Sequence, residues 1–124
     1  MIENKHVLAL EDEPLVAFLI EDMLRDEGAA EVSIAFRVGE AEAVIAKGGI
    51  ELAILDVNVH GERSYAIADR LAAQQIPFIF ASGYGDHEHP PAYNAVPTLT
   101  KPFNVEDLRR AVCRAEGLDL DTID

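Results

Sequence analysis

The chain holds one cysteine, ten basic residues against twenty-three acidic ones, and no long hydrophobic run. Each shortage removes a class of function. Cys113 cannot form an intramolecular disulfide, and within a helical pattern it reads as a small buried or half-buried apolar residue, so a reducing compartment is expected. The scarcity of bases leaves a formal net charge of −13, the wrong sign for nucleic acid or an anionic membrane surface. A metal ion or a protein partner fits such a surface better. No apolar stretch approaches the roughly 20 residues that cross a bilayer, and Met1–His6 lacks the basic start and apolar core of a signal peptide. A soluble, cytoplasmic protein is expected. Repeats, linkers and low-complexity segments are also missing. With 49% hydrophobic residues in 124, residues 1–124 are read as one domain with one core and no output domain, ending in an acidic tail over 118–124.

Short β-type runs alternate with helical patterns, the signature of βαβ units around a parallel sheet. Val7-Leu8-Ala9-Leu10 is the first strand. Pro14 suits a first helical turn, with Asp12 or Glu13 complementing that helix end; Val16, Leu19, Ile20, Met23 and Leu24 form its apolar stripe, and Gly28 stops it. Val32–Ala35 is the second strand, Val38–Lys47 the second helix, closed by Gly48-Gly49, and Leu52–Asp56 the third strand. A polar loop containing Gly61 follows. Ser64–Gln75 then reads as a helix with Tyr65, Ile67, Ala68, Leu71 and Ala72 on its face, and Phe78–Ala81 as a fourth buried strand. Residues 86–97 carry three prolines and little periodicity, so a fourth helix there is expected to be short, irregular or absent. Thr98–Thr100 is a brief fifth strand. Asn104 caps a last helix whose buried stripe is Val105, Leu108, Val112 and Ala115, ended by Gly117. Right-handed connections give a doubly wound α/β sandwich of five parallel strands in the flavodoxin-like order 2-1-3-4-5.

In such sheets ligands bind outside the carboxyl ends of the strands, at the switch point between the first and third. Those two strands end in Glu11-Asp12-Glu13 and in Asp56. Several carboxylates in one crevice need a cation, and hard oxygen ligands select Mg²⁺, Mn²⁺ or Ca²⁺. Ser82 and Lys101 end the fourth and fifth strands on the same edge. An acid pair with a metal, a central Asp, a hydroxyl and a Lys suit a phosphoryl group: Asp56 as nucleophile, Lys101 as point charge and Ser82 as donor. Glu13 reads as solvated or capping. His60, His87 and His89 read as loop histidines, because no soft third ligand accompanies them.

At these residues the chain resembles the receiver domain of bacterial two-component response regulators. The pieces that carry the likeness are Val-Leu-Ala-Leu-Glu11-Asp12-Glu13, Ile-Leu-Asp56-Val-Asn58, Phe-Ala-Ser82-Gly and Thr-Lys101-Pro102-Phe103. The resemblance implies phosphorylation on Asp56 by a sensor histidine kinase or phosphotransfer protein. It implies Mg²⁺ (or Mn²⁺) held by Glu11, Asp12, Asp56 and the main-chain carbonyl of Asn58, with Ser82 and Lys101 on the phosphoryl oxygens and a cis bond at Lys101-Pro102. Pro77–Gly85 looks like the single-domain subgroup with a Phe-Ala-Thr-Gly-like fourth strand, often paired with kinases of the HWE or HisKA2 type. The expected protein is a monomer or a weak phosphorylation-dependent dimer that acts through protein contacts or as a phosphate relay or sink.

Two positions depart from that family. The aromatic usual three residues before the lysine is Thr98, which turns attention to Tyr84 as a substitute, and the usual proline four residues after the phosphoacceptor is His60. Two other functions compete with this one. The site also resembles small Mg²⁺-dependent phosphatases of the haloacid dehalogenase type, but that resemblance implies a second Asp as acid/base where Asn58 stands; a receiver-like binding module that never carries phosphate would not need these acids and the lysine.

Overall fold

The computed structural model describes residues 2–83 and 90–117. In chain order the elements are β1 (His6–Leu10), α1 (Pro14–Asp26), β2 (Glu31–Ala35), α2 (Val38–Lys47), β3 (Leu52–Asp56), β4 (Asn58–Val59), β5 (Glu62–Arg63), α3 (Tyr65–Ala73), β6 (Phe78–Ser82), a 3₁₀ turn (Pro91–Tyr93), β7 (Thr98–Thr100) and α4 (Val105–Ala115). Five strands form one parallel sheet in the order β2-β1-β3-β6-β7. This is the expected 2-1-3-4-5 arrangement once the short antiparallel β4–β5 pair is set aside.

Alternation along each strand explains why the sheet is covered on both faces, since successive side chains point opposite ways. Leu8, Leu10, Ala53, Leu55, Phe78 and Phe80 join the core beneath α2 and α3. Their neighbours Val7, Ala9, Leu52, Ile54, Ile79 and Ala81 join the core beneath α1 and α4. Near-continuous apolar strands are what a doubly covered sheet requires.

Several local signals act as read. Gly28 (φ 95°) and Gly48 (φ 83°) take left-handed conformations just beyond α1 and α2, where a side chain would be strained. Asn104 accepts from the Asp107 N–H while Asp107 accepts from the Asn104 N–H, a reciprocal box that starts α4. Lys101-Pro102 is cis, and Cys113 is buried.

Other expectations are corrected. α1 buries Ala17, Ile20 and Leu24, while Leu19 is 65% exposed; it lies one residue, about 100° of helix, from Ile20. Ala72 is likewise exposed beside buried Leu71. No acid caps α1 through its side chain; the Glu13 N–H instead donates to Glu11 Oε2. The polar loop after β3 is a hairpin. Val59 pairs with Glu62, and the two residues between, His60 (φ 51°) and Gly61 (φ 81°), are both left-handed, as a two-residue I′ turn demands. Between β6 and β7 the expectation of a short, irregular or absent helix holds: the described part of that region carries only the 3₁₀ turn. Its Tyr93 is buried, stacks on Tyr65, packs edge-on to Phe78 and Phe80, and donates its hydroxyl to Asp69 of α3.

Candidate functional site

The parallel register brings the ends of β1 and β3 side by side, Leu10 opposite Leu55, so the residues that follow emerge together. Glu11, Asp12 and Asp56 offer carboxylate oxygens that all lie within 4.8 Å of one another. Glu11 and Asp56 are buried, at 1% and 3% exposure, whereas Asp12 stands at the rim. Like charges this close and this dry repel strongly. Burial first, and the neighbouring Glu11 charge second, push the Asp56 carboxyl up to about 7, against the pull of Lys101.

Lys101 reaches the same point from the fifth strand of the sheet. Its Nζ lies 2.8 Å from Glu11 Oε1 and 3.3 Å from Asp56 Oδ2, and its main-chain N–H is fixed by a 2.8 Å bond to the Ser82 carbonyl. Burial works against its charge, but the Glu11 hydrogen bond and the Asp56 and Glu11 charges hold its ammonium above the ordinary lysine value. Asp12 is displaced the other way. Burial opposes ionisation there, but the His60 main-chain N–H at 3.0 Å and hydrogen bonding with Glu11 and Asp56 keep its carboxyl below the ordinary value.

Ser82 and Asn58 complete the edge. Ser82 Oγ and Asn58 Oδ1 are buried and have no hydrogen-bond partner among the described residues, an unfavourable condition unless a ligand satisfies them. A cavity of about 520 Å³ opens over Asp56, with Asp12, Asn58, Gly83 and Lys101 around the polar end. Its other arm is apolar, lined by Val16, Leu19 and Met23 of α1 and by Phe103.

All of the residues singled out for this edge therefore meet there: Glu11, Asp12, Asp56 and Lys101 in direct contact, with Asn58 and Ser82 bordering them. Tyr84, His87 and His89 lie outside the described residues. Two features went unread in the sequence. One is the His60 N–H on Asp12, for which the signal was the His60-Gly61 pair between alternating Val57, Val59 and Arg63. The other is the exposed apolar side of α1, with Leu15 at 78%, Leu19 at 65% and Phe18 at 50% exposure, hidden because the first two turns of that helix are apolar on every side.

No curated protein matches the chain. Among solved structures, SdrG from Sphingomonas melonis Fr1 is 37% identical over 94% of this chain and 98% of that one, with a TM-score of 0.84. The BeF3-activated conformation of SdrG, from Pseudomonas melonis Fr1, gives 0.76 at 37% identity over 92% of this chain and 98% of that one. The receiver domain of the response regulator PhyR from Erythrobacter litoralis is 26% identical over 99% and 98% of the two chains, with a TM-score of 0.75. The model of the response regulator receiver domain matches residues 7–113. Acids after the first and third strands, a lysine after the last and a family match over nearly the whole sheet agree on one conclusion: the chain belongs to the response regulator receiver domains of two-component systems.

Proposed function

We propose that this chain accepts a phosphoryl group on Asp56 from a histidine kinase or phosphotransfer protein, with Mg²⁺ as cofactor, and works as a single-domain receiver. The observation that carries the reading is the position of Asp56, buried within the acidic cluster and 3.3 Å from the Lys101 ammonium. Asp56 is the only one of the three acids both buried and directly paired across the sheet edge with Lys101 while facing the cavity. In the transfer, a carboxylate oxygen of Asp56 attacks phosphorus, an acyl phosphate forms, and the bond to the donor nitrogen breaks. Lys101 neutralises one phosphoryl oxygen, and the Ser82 hydroxyl, unpartnered among the described residues, donates to another.

Glu11, Asp12, Asp56 and the Asn58 main chain would hold the cation, and the donor set suits it: crowded carboxylates, hard oxygens and no sulfur. When bound, Mg²⁺ offsets the repulsion among the carboxylates and the charge of the incoming phosphoryl group. A protein donor needs a surface beside the cavity, and α1 offers an apolar one in Leu19, which lines the cavity yet is 65% exposed, and Leu15 one turn before it at 78%.

Incubation with acetyl phosphate and Mg²⁺ should add one phosphoryl group to the wild-type chain by intact mass, and none to Asp56→Ala. A wild-type chain that stays unlabelled with both acetyl phosphate and a histidine kinase would sink the proposal.

A further inference from the structure

We infer that the main-chain N–H of His60 is a positioning group for Asp12, so that the β4–β5 hairpin helps set how tightly the acidic site holds a divalent cation. The inference rests on the proposed reading of that site and names a part of it carried by no side chain.

Asp12 follows β1 in a short connection to α1, stands at the rim and is half-exposed, so little packing fixes its carboxylate. Besides the neighbouring Glu11 and Asp56 carboxylates, a main-chain donor from another element reaches it: the His60 N–H, 3.0 Å from Asp12 Oδ2 and forty-eight residues away in sequence. That N–H is itself held by the turn. Asn58 pairs with Arg63 and Val59 with Glu62, the Ser64 N–H donates to the Val57 carbonyl at 3.1 Å, and Val57 and Val59 are anchored in the core. The turn thus joins the Asp56 strand to the Asp12 loop across the mouth of the site.

The backbone conformation points the same way. His60 takes φ 51°, as the first central position of the I′ turn requires, so the turn itself fixes the direction in which its N–H points. Groups that fix the orientation of a metal ligand commonly change affinity by about 10–100-fold when removed. An amide donor takes one lone pair of the carboxylate and leaves the others for a cation. It fixes the rotamer before the ion arrives, so less freedom is lost on binding.

The test compares Mg²⁺ affinity, read from amide shifts in ¹⁵N spectra, in the wild-type chain and in two variants. His60→Gly keeps the N–H and suits the left-handed turn; His60→Pro removes it. The expected result is affinity within about twofold of wild type for His60→Gly and a loss of about tenfold or more for His60→Pro. Equal Mg²⁺ affinity in wild type and His60→Pro would overturn the inference, as would an equal loss in His60→Gly.

Because His60→Pro also disturbs the turn, a second measurement uses the hairpin intact. In the wild-type chain the His60 amide should exchange slowly with solvent, and in Asp12→Ala it should exchange at least tenfold faster while the Ser64 amide keeps its protection. A His60 amide that exchanges freely in the wild type also overturns the inference. A wild-type chain that binds no Mg²⁺ overturns the reading of the site itself and this inference with it, whereas Mg²⁺ binding indifferent to residue 60 removes only the latter.

Discussion

At the scale of single residues, the site is a balance between desolvation and charge. Asp56 carries the largest consequence, because its carboxyl is pushed from an ordinary 3.8 to about 7 by burial and by Glu11. A raised acid value means that the folded chain binds more protons than the unfolded one between those two pH values. Stability is then greatest below the unfolded value and falls as pH rises through the folded one. Without divalent cations, the unfolding free energy should fall between about pH 4 and pH 7, by an amount of order 4 kcal/mol, and level off above. The displaced Asp12 and Glu27 carboxyls act in the opposite sense, but below the ordinary carboxylate range. Denaturant melts at pH 5 and pH 8 in chelator measure the slope, and Asp56→Asn should flatten most of it. A wild-type slope that survives Asp56→Asn would place the titration elsewhere.

At the scale of elements, α1 is where sequence and structure part. Its start at Pro14 and its stop at Gly28 were legible because both rest on backbone chemistry that one residue decides. Its buried face was not. Leu15, Val16, Phe18, Leu19, Ile20, Met23 and Leu24 satisfy more than one stripe, and only docking against the sheet chooses Ala17, Ile20 and Leu24. The hairpin at Asn58–Arg63 escaped notice for a related reason, since strands of two residues show no periodicity. By contrast Asp56, Glu11, Asp12 and Lys101 were readable, because strand ends in a doubly wound sheet share an edge whatever the helices do. The apolar side left exposed on α1 carries a prediction of its own. Leu15→Ser with Leu19→Ser should slow phosphoryl transfer from a histidine kinase tenfold or more, while labelling by acetyl phosphate and stability stay within about twofold and about 1 kcal/mol, since both side chains are largely exposed. Equal losses with both donors would mean that the helix supports the site rather than docking a protein.

At the scale of the whole molecule, two devices hold the sandwich around its acidic edge. Opposite the site, the Lys5 ammonium pairs with Glu116, and Arg109 makes two hydrogen bonds to Glu27, so that the last helix is fastened to the chain's beginning and to the end of α1. At the other end, carboxylates are pressed together in a chain whose net charge is already −13. That end stores unfavourable energy which a cation relieves only in the folded state, so binding must appear as stability of the entire domain. At pH 8, where Asp56 is mostly ionised, Mg²⁺ at a hundredfold its dissociation constant should add about 2.7 kcal/mol. For a domain of this size that is roughly 10 °C in the unfolding midpoint. General screening of the surface charge is separated by holding ionic strength constant with NaCl. Asp12→Ala should lose most of the rise, because it removes one ligand and the partner of the His60 N–H together. An undiminished rise in Asp12→Ala would mean that Mg²⁺ acts on the diffuse charge of the surface, and the strand-end carboxylates would then owe their crowding to the fold alone.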